Sequence, residues 1–303
     1  QEFSGGPAGP VTTLPEVAFK TGSLPFITVN TQSRANEPIS TIGHERCSPQ
    51  SPYSFEIKSS RIHMCPNASA QDQPVLTPTS TFHFACGDTL PCFTQCCRDV
   101  NIYLTPYDVL RLRRSLKIGS GEFLAKYTRH FLARVTNIPV VQFDMSPDTL
   151  YCKLVTRDGC SVYENRPWAC RMFPLDLASR EGEYQMIVGS DRCKGLKEPN
   201  TMTVREWLDT QGVGPYEEME RLFHSVLPPS FKPGAPMDAG LGKLLFLAYD
   251  LDRFAEMLDN PRFRAFYELD DELMRQVKED DEAMLRLAFR YIRSQMDELY
   301  QVI

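Results

Sequence analysis

The sequence predicts a mostly helical α+β fold, in which a cysteine-rich core with a few short strands is followed by a C-terminal helical region packed on it. Three observations carry this. Eight of the ten cysteines fall between positions 86 and 193. Short apolar runs bounded by turn residues lie among and around them, the pattern of brief strands. Beyond about residue 200 the apolar residues recur at helical spacing instead. A chain of 303 residues can bury a proper core.

Residues 1–63 are rich in Pro, Ser, Thr and Gly without a sustained period, a composition that reads as disorder or linker. The expected division is therefore a disordered extension over 1–80, a cysteine-cluster region over 81–199 and a helical region over 200–303. The first methionine is Met64. A native start there is one expectation and a genuine flexible tail the other. Cys47 and Cys65 lie in or beside this stretch and are set aside.

From Thr81 the pattern tightens. In "LTPYDVLRLRRSL", Thr105 is the expected N-cap, Pro106 the first helical residue and Asp108 a first-turn acid, with Gly119 as the stop. "GEFLAKYTRHFLARV" places Phe123, Tyr127 and Phe131 at i, i+4 and i+8, predicting a second amphipathic helix. "PVVQFDM", "TLYCKLV" and "EYQMIV" read as strands. Leu196–Asn200 is the expected boundary. "TVREWLDT", then "LGKLLFLAYDLDRFAEML" stopped by Asn260-Pro261, then a long segment from Asp270 broken near residues 279–281, are the predicted C-terminal helices. Leu244, Leu247, Phe254 and Leu258 offer apolar stripes to cover the earlier helices.

The net charge of −6 argues against wholesale nucleic-acid binding. No run of eighteen apolar residues is present, so no membrane span is expected. No signal-peptide pattern opens the chain, which makes a cytoplasmic location the expectation. Residues 250–303 hold fourteen acids against eight bases, the mark of a solvated helix face. Residues 108–134 carry seven bases and two acids, also read as a solvated face. A protein is the one class of partner or substrate left open. Phosphate-binding glycine loops, H-E-x-x-H and G-x-S-x-G are missing from the sequence.

The chemistry concentrates in C86-x5-C92-x3-C96-C97, then C152-x7-C160-x9-C170, then Cys193. A chain this long has no need of disulfide staples. Adjacent cysteines also do not readily pair, because a disulfide wants a longer Cα separation than neighbours have. On a helix Cys92 and Cys96 would share a face and Cys97 would diverge. On a strand Cys96 and Cys97 would point to opposite sides. Four thiolates satisfy tetrahedral zinc or a [4Fe–4S] cluster, and eight allow two sites. A metal-stapled core is thus the expectation, with zinc and iron–sulfur both open and a disulfide-stapled exported protein as a further alternative.

"CFTQCCRDVNIYLTPYDVLRL" and "CSVYENRPWACRMFP" together resemble the motifs of the CxxxCC, YkgJ-like family, described as zinc- or iron-chelating. The resemblance covers about residues 82–195. It implies metal ligands at Cys92, Cys96, Cys97, Cys152, Cys160 and Cys170. Cys86 fits the upstream cysteine with a longer gap than usual, and Cys193 fits the trailing one. One branch of the family, the flagellin lysine N-methylases, carries an iron–sulfur cluster. This branch implies the alternative of S-adenosylmethionine-dependent methylation of protein lysine, with no catalytic residue identified. Arg166 and Arg171 flank Cys170 and would offset thiolate charge, or pair with Glu164 or Asp176. Tyr163, Trp168 and Phe173 would shield a cluster or pack in the core. His83 is read as structural.

Overall fold

A computed structural model describes residues 74–232 and 234–301. The expected extension before residue 74, with Cys47, Met64 and Cys65, lies outside the described residues.

The first element, β1 (Thr81–His83), pairs antiparallel with β8 (Thr201–Thr203), Thr81 opposite Thr203. Everything bearing the eight cysteines is strung between these two strands. A 3-10 turn (Gln95–Cys97) precedes α1 (Pro106–Leu116) and α2 (Ser120–Tyr127), which leads directly into the hairpin β2 (Thr128–Leu132) and β3 (Pro139–Phe143). The short hairpin β4 (Val155–Thr156) and β5 (Gly159–Cys160) follows, then α3 (Trp168–Met172) and the hairpin β6 (Leu175–Leu177) and β7 (Tyr184–Met186).

After β8 come α4 (Val204–Gln211), α5 (Gly214–His224), α6 (Ala239–Phe246), α7 (Leu251–Leu258), α8 (Pro261–Phe266), α9 (Asp271–Glu279) and α10 (Asp281–Gln301).

Local caps explain where the helices begin. Thr105 accepts from the Asp108 N–H while the Asp108 side chain accepts from the Thr105 N–H, a reciprocal capping box. Thr203 and Glu206 repeat the device on α4. Asp270 caps α9.

Several expected boundaries are corrected. Lys117, in the left-handed region at φ 56, ends α1, and Gly119 instead caps α2. The second helix stops at Tyr127, so Phe131 lies on β2 and is 54% exposed. Its pairing with Val140 across the hairpin displaces the helical reading. "TLYCKLV" forms isolated bridges, Met145 with Cys152 and Arg98 with Tyr151, and a two-residue strand. The expected helix over 241–258 is two, because Asp250 caps a fresh start at α7. Asn260-Pro261 begins α8 as N-cap and N1. α5 has no counterpart in the sequence reading. The break near residue 280 is present.

Burial ties the cysteine-bearing region to the later helices. One cluster of buried residues runs from Phe82, Tyr107 and Trp168 through Leu245 and Phe254 to Leu285, Ile292 and Met296. Along α10 the residues Leu285, Ala288, Ile292 and Met296 are wholly buried at helical spacing. Phe254 and Leu258 are wholly buried too, while Leu244 and Leu247 pack at the margin. A second cluster joins Leu112, Phe123, Val141 and Leu154 to Tyr249. Phe123 stacks on Tyr127 with ring centroids 5.6 Å apart. Among the described residues no helix is long and apolar enough to cross a membrane.

Candidate metal centre

The segment CFTQCC forms neither a helix face nor a strand. Thr94 takes φ 64 and Asp99 φ 52, so the chain reverses on both sides of the cysteine pair. Gln95 N–H donates to the Cys92 carbonyl at 3.0 Å and Cys97 N–H to the Thr94 carbonyl at 2.9 Å. The outgoing strand of this loop is zipped to residues 149–152. Cys152 N–H donates to the Cys97 carbonyl and Asp99 N–H to the Leu150 carbonyl, both at 2.8 Å. Arg98 Nε donates to the Thr149 carbonyl at 3.2 Å, and its guanidinium lies 5.7 Å from the Tyr151 ring centroid. Backbone pairing thus carries Cys152 to Cys97.

Cys160 ends β5, opposite Val155. Gly159 holds φ 115 with its Cα side against the Phe93 ring, a backbone form that glycine supplies without steric cost. Cys170 sits in α3, whose first turn is braced by Asp108: the carboxylate Oδ1 accepts the Trp168 N–H at 2.8 Å. Cys193 precedes a 3-10 turn (Lys194–Lys197). There Lys194 N–H donates to Cys92 Sγ at 3.2 Å, and Ala85 N–H to the Gly195 carbonyl at 3.1 Å. A Cβ at Gly195 would run into the Ala85 carbonyl oxygen, so glycine permits the approach that sets Cys86 near Cys193.

All eight cysteines in the described residues are free. Cys96 and Cys97 Sγ are 4.0 Å apart, about twice a disulfide bond length. Burial, and then the neighbouring thiols Cys96, Cys193 and Cys92, push Cys86 up to about 11. Burial, then Cys152, Cys160 and Cys96, push Cys170 well above the ordinary thiol range. Cys152, Cys160 and Cys193 rise mainly through burial. Within the adjacent pair, the hydrogen bond between the thiols favours the Cys96 thiolate and holds the proton on Cys97.

Opposing these costs, Lys194 N–H donates to Cys92 Sγ at 3.2 Å, and the backbone amides near Cys152, Cys160 and Cys193 favour their thiolates. Such donors favour thiolate over thiol.

Arg166 and Arg171 are both 8% exposed. The Arg166 guanidinium lies 3.9 Å from the Tyr163 ring centroid, donates to the Tyr163 carbonyl at 2.7 Å and reaches Gln211 Oε1. Its charge favours the Cys160 thiolate. Arg171 donates to the Arg166 carbonyl at 3.0 Å and to the carbonyls of Gln211 and Glu164. The arginines therefore brace the loop through backbone carbonyls, and the contact to Glu164 is to its carbonyl. Trp168 is core, Phe173 packs against the core, and Tyr163 is 56% exposed. His83 pairs with Thr201 Oγ1 at 3.0 Å on the β1–β8 ladder. In the basic stretch, Arg113 and Arg114 meet Asp281 at 2.6 and 3.6 Å, and Arg129 meets Asp144 at 3.3 Å.

Sequence reasoning missed two residues that build this site: Asp108, which reads as an ordinary first-turn acid, and Gly195. Neither carries a local signal, since each acts on residues far away in the chain.

As a donor set the eight thiols fit zinc or iron, which both take all-sulfur coordination. Among the described residues, no three His, Cys, Asp or Glu side chains already stand together closely enough to hold an ion. Thiolates around zinc each sit about 2.3 Å from it, so a bound ion would require the side chains to draw inward. A family model described as CxxCxxCC, "Putative zinc- or iron-chelating domain", matches residues 85–195. Its written spacing differs from the CxxxCC form and from the x5 gap between Cys86 and Cys92. No curated protein and no solved structure matches the chain.

Proposed function

We propose, from the premise that residues 85–195 belong to the CxxCxxCC family of zinc- or iron-chelating domains, that this protein binds metal through cysteine thiolates. The residues assigned to hold it are Cys86, Cys92, Cys96, Cys97, Cys152, Cys160, Cys170 and Cys193. The observation that carries the reading is eight free cysteines within the matched residues, with the Cys96 and Cys97 sulfurs 4.0 Å apart and Cys92 Sγ accepting the Lys194 N–H at 3.2 Å. A bound cation would neutralise the mutual repulsion that, with burial, makes these thiols hard to ionise, and would crosslink the CFTQCC loop to the loop bearing Cys160 and Cys170. Zinc would supply a structural crosslink; a [4Fe–4S] cluster would add an electron-transfer group.

The backbone carbonyls clamped by Arg166 and Arg171 hold the second of these loops in place, and Asp108 fixes the turn before Cys170. Lysine methylation with S-adenosylmethionine is implied only by the resemblance, and no contact among the described residues favours it. Elemental analysis of anaerobically purified protein, counting zinc, iron and sulfide per chain, tests the proposal. Zinc, or iron with sulfide, in stoichiometric amount is expected. Protein that folds fully while holding and taking up neither metal would overturn it.

A further inference from the structure

The β2–β3 hairpin has one side that is paired and one that is open. Its register sets Arg129 opposite Gln142 and Phe131 opposite Val140. Ala133 N–H donates to the Ile138 carbonyl at 2.9 Å, and Asp144 N–H to the Tyr127 carbonyl at 2.8 Å. Bonded and non-bonded pairs alternate along an antiparallel ladder. Positions 127, 129, 131 and 133 therefore turn their backbone groups toward β3, and His130 and Leu132 turn theirs away. The far side of β3 is already taken. Leu104 N–H donates to the Val141 carbonyl at 2.8 Å, and Phe143 N–H to the Ile102 carbonyl at 2.9 Å. On the near side, the outward groups of His130 and Leu132 make no backbone hydrogen bond among the described residues. β2 is the unpaired edge.

The two faces beside this edge differ. His130 stacks on Phe246 with ring centroids 5.1 Å apart, and Leu132 lies against Gly242, so α6 covers one face. Arg129 and Phe131 project from the other, where Phe131 is 54% exposed. Arg134 and Val135 are exposed at the hairpin tip. Residues 123–143 contain no Asp or Glu, whereas Lys126, Arg129 and Arg134 all lie exposed there. Asp144, next in the chain, is shared between Arg129 at 3.3 Å and Lys153 at 2.6 Å. A basic strip thus borders the open edge of a chain whose net charge is −6.

Charge on an edge strand opposes pairing with a copy of itself. A second copy would lay the same bases against these, and like charges opposed across strands are destabilising. An acidic strand meets no such barrier. We propose that β2 is a docking edge for an extended acidic segment of a partner protein, which adds beside it as a further strand. Its backbone pairs with the N–H and carbonyl groups of His130 and Leu132, its acids face Lys126, Arg129 and Arg134, and an apolar residue covers Phe131. This site uses none of the cysteines and does not depend on metal.

The test uses the full chain and two end-blocked peptides of about seven residues, enough to span β2. One alternates Glu and Val, the other Lys and Val. Fluorescence anisotropy should show the Glu–Val peptide binding about tenfold more tightly, a gap that salt narrows. Amide exchange followed by NMR should be fast at His130 and Leu132 and slow at Phe131 in the peptide-free protein. The Glu–Val peptide should slow the first two. His130→Pro removes one outward donor at a position where an edge strand tolerates proline. It should weaken binding about fivefold with little change in melting temperature. The exchange arm needs no variant and decides the matter if His130→Pro fails to fold. No binding of the Glu–Val peptide at millimolar concentration, equal binding of both peptides, or slowing confined to other amides would overturn the proposal. Slow exchange at His130 and Leu132 without peptide would overturn it too. Dependence of that protection on protein concentration would place a second copy on the edge, and independence would mean that the chain covers its own edge.

Discussion

Asp108 Oδ1 accepts the Trp168 N–H at 2.8 Å, so a carboxylate in α1 that is 1% exposed fixes the helix bearing Cys170. Its other oxygen accepts from the Thr105 N–H at 2.8 Å and from Thr105 Oγ1 at 2.9 Å. One side chain thus caps its own helix and braces the next. Asp108→Ala removes the reciprocal cap, about 1 kcal/mol, and orphans a buried N–H, about 1–3 kcal/mol. Relief of a buried charge offsets part of this. The expected net loss is about 2 kcal/mol by denaturant unfolding, with reduced metal content because Cys170 is no longer held. Asp108→Asn keeps an acceptor and should fall between Ala and wild type. Wild-type stability and metal content in Asp108→Ala would show that the brace is idle.

Burial pushes the Asp108 carboxyl up, from 3.8 to about 6. The folded protein therefore holds a proton between those values that the unfolded chain has released. The contribution of Asp108 to stability is greatest below pH 3.8 and declines as pH rises to about 6. Relative to wild type, Asp108→Asn should gain stability as pH rises through that window. The carboxyl carbon of Asp108, followed by NMR, should titrate near 6; a midpoint below 4 contradicts the burial argument.

Metal removal should destabilise the fold. A ligand that binds only the folded state stabilises it by about 4 kcal/mol at a free concentration a thousand times its dissociation constant. A strong chelator should accordingly lower the melting temperature by many degrees. Cys170→Ser should do the same without chelator and should respond little to chelator afterwards. Identical melting with and without chelator would mean that the thiols only pack.

Gly242 in α6 faces the β2–β3 hairpin so closely that a Cβ would strike the Asn137 carbonyl oxygen. Alanine would gain about 1 kcal/mol in helix propensity, yet overpacking against backbone costs about 1–3 kcal/mol. Gly242→Ala is expected to be net destabilising, read as a lower denaturation midpoint. A higher midpoint would show that the hairpin yields.

The cysteine region and the C-terminal helices are expected to resist separation, since one buried cluster spans both. Limited proteolysis should spare the chain around residue 200. Release of a stable fragment ending there would contradict this.

The helix starts were legible where the signal is local. Thr105-Pro106-x-Asp108, Thr203-x-x-Glu206 and Asp270 announce themselves within one turn. Phe131 misled because i, i+4, i+8 spacing is blind to a partner strand beginning at Pro139. The cysteine pattern and the family resemblance it carries were legible from spacing. Bonds such as Lys194 N–H to Cys92 Sγ were not, because they join positions 102 apart. The Asp108 brace was hidden for the same reason.

The β1–β8 pairing has a thermodynamic consequence for any ion the cysteines would bind. The strands close the cysteine-bearing chain at its two ends, Phe82 opposite Met202. Closing a loop of roughly a hundred residues carries an entropic cost that grows with the logarithm of its length. Here hydrogen bonds and the packing of Phe82 against Trp207 meet that cost before any cation arrives. An incoming ion has only side chains and short turns left to order. Under the metal-binding proposal, more of the ion's binding free energy would then be retained as affinity, because β1 and β8 hold the two ends of the cysteine-bearing chain together by themselves.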